Sequence, residues 1–174
     1  MTTALKVSVV QLNSGSDIGA NLDKVMQLVS MCVEDDRPDI IMLPEYFSFL
    51  SGNPEAMLQA AEKLGDNTIP EFLGTLASEK GVTIHAGSSI VKNEGKLFNQ
   101  SFVYNQHGEQ IATYRKVHLF DTVLPSGSRM YESDFITRGD SLVTYRMGEF
   151  LFGCSICFDV RYPEHYARLV GLGA

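Results

Sequence analysis

Three side chains in this sequence have the types and settings needed for covalent chemistry. Cys157 follows the apolar run Phe150-Leu151-Phe152-Gly153-Cys154-Ser155-Ile156, and a helix start at Pro163-Glu164 comes a few residues later. A strand-to-helix turn there would hold the thiol at the tip of a sheet, open to a reactant, the geometry of a hydrolase nucleophile elbow. The backbone N–H of Phe158 is then placed to meet an oxyanion. Glu45 closes the run Ile40-Ile41-Met42-Leu43-Pro44. A carboxylate at the end of a buried strand must be paired, hydrogen-bonded or protonated. Its pKa is expected to rise, which suits a general base working near neutral pH. Lys116 lies in Tyr114-Arg115-Lys116-Val117-His118. On a strand Arg115 and Lys116 point to opposite faces, so one is solvated and the other, facing inward, requires a carboxylate.

Singly, each residue has a plainer reading. Cys157 is a small buried hydrophobe, Glu45 a local cap, Lys116 part of a solvated basic strand. Together, a thiol, a carboxylate and an ammonium at strand ends form a complete set for acyl transfer. Cys154 and Cys157 also make a Cys-x-x-Cys pair, which opens a thiol-redox reading. It is the weaker one, because Cys154 lies inside the apolar run, whereas redox pairs sit at helix N-termini. No second cysteine pair completes a zinc site, and the four histidines, His85, His107, His118 and His165, are scattered along the chain.

The elements that must position these residues alternate. Residues 6–12 and 39–45 are predicted as buried strands, and between them Leu22, Val25, Met26, Val29, Cys32 and Val33 recur at helical spacing. This is a βαβ unit with a parallel pair, in an α/β chain. Asn53-Pro54 opens a second helix that stops at Leu64-Gly65, and the capping-box spacing Thr68-Ile69-Pro70-Glu71 opens a third, closed by Gly81. Residues 82–90, 97–104 and 110–119 read as strands separated by hairpin-length breaks. Residues 121–139 lack periodicity and read as one long functional loop. Residues 142–145 and 150–156 form a further hairpin, and a last helix runs from Pro163 to Leu169, with residues 171–174 as its cap.

Composition narrows the classes. The 174 residues fit one domain, spanning 1–174. A net charge of −7 disfavours a phosphate backbone, so no nucleic-acid partner is expected. No apolar run approaches the ~20 residues that cross a bilayer, so no membrane partner is expected either. Three cysteines are too few for a disulfide framework and fit a reducing, cytoplasmic setting.

The segments Leu43-Pro44-Glu45-Tyr46, Arg115-Lys116-Val117-His118-Leu119-Phe120-Asp121 and Gly153-Cys154-Ser155-Ile156-Cys157-Phe158-Asp159-Val160-Arg161-Tyr162-Pro163-Glu164 closely resemble the three signature segments of the nitrilase, or carbon–nitrogen hydrolase, superfamily. Their order and spacing match too, and the likeness runs from Val7 to the last residue. The resemblance implies a catalytic Glu45–Lys116–Cys157 triad, with Glu132 in the polar loop as a supporting glutamate. It implies a four-layer α-β-β-α sandwich, no metal or organic cofactor, and a homodimer or larger homo-oligomer formed through outer helices. The closest likeness is to the amidase branches, especially the omega-amidase-like group that cleaves small dicarboxylic acid monoamides; deaminated-glutathione amidases, carbamoylases and nitrilases share the motifs. Members of the superfamily continue for about another third beyond such a point, on the usual size of single domains. The expectation is therefore a sheet incomplete on the C-terminal side, its apolar edge covered by another chain. The alternative is a catalytically silent half-domain acting as an oligomeric or binding module.

Overall fold

The computed structural model describes residues 4–174. A five-stranded sheet carries strands β1 (Val7–Val9), β2 (Ile40–Met42), β3 (Thr83–Asn93), β4 (Lys96–Tyr104) and β5 (Gln110–Arg115), side by side in chain order. The first three are parallel and the last two antiparallel. Helix α1 (Ile18–Asp35) crosses from β1 to β2, and α2 (Pro54–Leu64) and α3 (Thr68–Lys80) cross from β2 to β3. The Asp17 carboxylate caps α1 by accepting from the Ala20 N–H, and Asn53 caps α2 by accepting from the Glu55 N–H.

Strand alternation builds two cores. Ile41, Leu43, Ile84, Ala86, Phe102 and Tyr104 face the helices and meet Val25 and Val29 of α1, Met57 and Leu64 of α2, and Leu73 and Leu76 of α3. Their neighbours Ile40 and Val103 face the other way. With Ala112 and Tyr114 they pack on Tyr145, Cys154 and Ile156, from a hairpin of β8 (Thr144–Met147) and β9 (Phe150–Gly153) and the turn after it. Gly153 points away from that second core, because its neighbour Phe152 points into it. A Cβ on Gly153 would lie 2.9 Å from Leu169 of helix α4 (Pro163–Gly171), so α4 covers the hairpin's outer side. The order is helices, sheet, hairpin, helix, the layering expected of an α-β-β-α sandwich.

Several boundaries differ from the sequence reading. The 121–139 stretch is not one irregular loop. It holds a hairpin of β6 (Asp121–Val123) and β7 (Arg129–Tyr131) and a 3-10 turn, Glu132–Asp134. Strands of three residues with mostly exposed side chains give no periodic signal. The expected strand 110–119 ends at Arg115, and 150–156 ends at Gly153. The capping box at Thr68 does not form: the N-cap is Asn67, and it makes no side-chain cap bond. The last helix runs on to Gly171 and is capped at Leu172. β1 is not buried throughout. Only Ser8 of its three residues is, while Val9 is 75% exposed on the face away from α1.

Candidate active site

Glu45 stands in a tight turn just past β2, with its neighbour Tyr46 at φ 53°. The turn is seated on a bulge in β3 between Ala86 and Ser89. The Tyr46 N–H donates to Ser88 Oγ at 3.0 Å, Phe47 N–H to the Ser88 carbonyl at 3.0 Å, and Ser88 N–H to the Pro44 carbonyl at 3.3 Å. Gly87 makes the approach possible, since a Cβ there would sit 2.2 Å from the Leu43 carbonyl oxygen.

Lys116 continues the β5 ladder by one residue, its N–H donating to the Asn99 carbonyl at 2.9 Å. It shares the inward face of Ala112 and Tyr114, whereas Arg115 turns to the other face and lays its guanidinium 3.9 Å from the Phe98 ring centre. The ammonium, 2% exposed, donates to Glu45 Oε1 at 3.0 Å and to Glu132 Oε2 at 2.8 Å. Burial alone would pull its pKa down; the two carboxylates outweigh that and hold it above the ordinary lysine value.

Glu132 opens the 3-10 turn after β7 and is buried. Besides Lys116 it accepts from the Phe120 N–H at 2.7 Å, the Tyr46 hydroxyl at 3.1 Å and the Asn99 amide at 3.3 Å. Asn99 also donates to Glu45 Oε1 at 2.7 Å. Glu45 is thus held by donors instead of hydrocarbon, and it keeps 27% of its side chain exposed.

Cys157 follows β9 and opens a 3-10 turn, Cys157–Arg161, at φ 45°. Its thiol is pushed up to about 11, first by partial desolvation and then by the charge of Glu45, with Lys116 pulling the other way. The resting thiol is therefore protonated and needs a base. Phe158 lies in the first turn, where backbone N–H groups have no intrahelical acceptor. Cys154, by contrast, is buried in the second core, and burial pushes its thiol up to about 12. This is the setting of a packing residue, and the redox reading loses its partner.

Glu45, Lys116, Glu132 and Cys157 line one cleft of about 460 Å³, whose walls include Leu50, Met57, Phe120 and Phe135, with Arg129 among the lining residues. A larger groove of about 550 Å³ lies around Gln100, Phe102, Thr113 and Arg115, and none of Glu45, Lys116, Glu132 and Cys157 lines it. The sequence reading missed Asn99 and Tyr46 as partners of the carboxylates. The signal for Asn99 was its place in Asn99-Gln100-Ser101, polar residues inside a buried strand that must be satisfied there.

Comparison with known proteins gives the family and the fold. The chain is 34% identical over 170 residues to a deaminated glutathione amidase of Synechocystis sp., covering 95% of this chain and 61% of that protein. It is 29% identical to the omega-amidase NIT3 of Saccharomyces cerevisiae, covering 94% and 58%. The chain thus spans about three fifths of the length of these relatives. The crystal structure of S. cerevisiae Nit3, a member of branch 10 of the nitrilase superfamily, superposes with a TM-score of 0.84 at 25% identity, over 98% of this chain and 61% of that one. The C. elegans NitFhit protein superposes with a TM-score of 0.83 at 26% identity, over 92% and 40%. The model of the carbon-nitrogen hydrolase family matches residues 6–174, so the chain, from its first strand through the cysteine turn to its last helix, belongs to that family.

Proposed function

We propose that residues 1–174 work as one catalytic unit that cleaves a small amide to carboxylate and ammonia through a Cys157 thioester. The observation that carries this is a buried ammonium held at 3.0 and 2.8 Å between Glu45 and Glu132, in the same cleft as a protonated cysteine. Glu45 takes the Sγ proton as sulfur bonds to the amide carbon. Lys116 and the Phe158 N–H stabilise the oxyanion of the tetrahedral intermediate. Glu45 returns the proton to nitrogen, the C–N bond breaks, and ammonia leaves. Glu45 then deprotonates a water that attacks the thioester; the C–S bond breaks and sulfur recovers its proton. Glu132 holds Lys116 as a second carboxylate partner beside Glu45.

The proposed substrate is a dicarboxylic acid monoamide. Support comes from the apolar walls, which suit a short acyl chain, and from Arg129, which makes no ion pair among the described residues and could receive a distal carboxylate. The test is ammonia release from a panel of monoamides, deaminated glutathione, N-carbamoyl acids and nitriles, by wild type and Cys157→Ala. Ammonia from monoamides, lost in the variant, is expected. Equal behaviour of the two proteins ends the proposal. A cytoplasmic setting is supported by three unpaired cysteines. Self-association through the outer helix is supported by the exposed Tyr162, Tyr166 and Val170 on and beside α4, and sedimentation checks it.

A further inference from the structure

Asp159 is 0% exposed and stands two residues past Cys157. A carboxylate so enclosed must have its oxygens satisfied. Oδ2 accepts from the Tyr114 hydroxyl at 2.6 Å and from the Ile156 N–H at 2.9 Å. Oδ1 accepts from the His118 N–H at 2.9 Å and from His118 Nδ1 at 2.7 Å. These donors come from two places. Tyr114 and His118 flank Lys116 at minus two and plus two; Ile156 immediately precedes Cys157. The Tyr114 hydroxyl also accepts from the Val117 N–H at 3.3 Å, so the backbone on the far side of Lys116 joins the same knot.

We infer that Asp159 is the positioning residue that sets Cys157 against Lys116, one carboxylate tying the nucleophile's turn to the lysine's strand end. Two observations support it beyond the bonds themselves. Cys157 holds a left-handed backbone at φ 45°, which a residue with a β-carbon keeps only where its surroundings over-determine it. The Asp159–Ile156 bond closes the turn on the residue just before that strain. His118 is held flat against Tyr162, with ring centres 3.7 Å apart, so the donor cannot swing away. The donor atoms of His118, Asp159 and His165 are close enough for a metal ion. They are already committed, however: both carboxylate oxygens take two donors each, and His165 Nε2 donates to the Cys154 carbonyl at 3.2 Å.

This inference rests on the active-site reading above, so its test needs a readout that does not depend on turnover. Asp159→Asn keeps the volume but places an NH2 where one oxygen accepts two donors. Tyr114→Phe removes the hydroxyl's bonds to Asp159 and to the Val117 N–H and keeps the ring. In the full chain, kcat and KM for a monoamide are measured beside the rate at which iodoacetamide alkylates Cys157, followed by intact mass. The folded fraction is fixed by circular dichroism. We expect Asp159→Asn to lower kcat at least 100-fold with KM within threefold, and Tyr114→Phe to lower it about tenfold. The double variant should be no worse than Asp159→Asn, and both single variants should change the alkylation rate threefold or more. If losses merely track the folded fraction, or kcat and alkylation stay within threefold of wild type, the inference is overturned. If wild type hydrolyses nothing, the function proposal fails and alkylation alone decides this one. If Asp159→Asn does not fold, Tyr114→Phe decides.

Discussion

The side-chain amide of Asn99 donates to Glu45 Oε1 at 2.7 Å and reaches Glu132 Oε1 at 3.3 Å, so one nitrogen holds both carboxylates that flank Lys116. The other end of that amide gains nothing. Asn99 Oδ1 is buried with no partner, alone in this among the described residues. An orphaned acceptor costs about 1–3 kcal/mol. Asn99→Leu removes the orphan along with the donor. The expected result is a melting temperature within a few degrees of wild type and a kcat lower by about 10- to 100-fold, because Glu45 loses its fixed orientation. Calorimetry and steady-state kinetics check the pair; unchanged kcat with lowered stability would count against it.

Gly87 predicts a coupled loss. A methyl group there meets the Leu43 and Pro44 backbone at 2.2–2.4 Å, and backbone yields less readily than a side-chain tip. Gly87→Ala should destabilise the fold by about 2–3 kcal/mol in urea titration. The turn that carries Glu45 should shift with it, so activity should fall even where the protein remains folded.

The raised thiol gives a pH signature. The thiolate is the form that alkylates, and at pH 8 only about one part in a thousand is ionised if the midpoint lies near 11. Alkylation of Cys157 by iodoacetamide should therefore climb with pH through about 11. Lys116 is the charge that lowers the value, so Lys116→Met should push the midpoint higher. A wild-type midpoint near the ordinary thiol value would contradict the burial and the Glu45 charge as causes.

His85 supplies a stability prediction with a definite sign. It lies on β3 with Nδ1 2.9 Å from the Tyr145 hydroxyl, and burial lowers its pKa to about 4. Below its ordinary value of 6.5 the unfolded chain binds a proton that the folded chain refuses. The stability it contributes is thus present above about 6.5 and lost as pH falls toward about 4. With allowance for the partly exposed ring, the loss is about 1–3 kcal/mol. Urea titrations of wild type and His85→Asn at pH 7 and pH 4.5 check it: the gap between the two proteins should narrow at the lower pH.

The parts legible in the sequence are those encoded locally. The strand–helix–strand opening, the α2 cap and the cysteine turn each announce themselves within a dozen residues. Glu132 was reached only through the family resemblance, because nothing periodic surrounds it and its partners come from distant segments. Asn99 meets Glu45 across 54 residues, and Asp159 meets Tyr114 across 45. Such pairings follow from sheet register, which no local pattern carries. The β1 residues show the converse error. Apolar types promise burial, yet whether a face is covered depends on the layer above it.

The opposite facing of Arg115 and Lys116 makes this chain unforgiving of one kind of evolutionary accident. Adding or deleting a single residue within β5 would exchange the two cations, turning the guanidinium toward the carboxylates and the ammonium toward the outer groove. The β6–β7 connection around Ser126 and Gly127 has no such constraint, being exposed and short of partners beyond its own turn. Length variation among descendants of this chain should accumulate there and stay out of the strand.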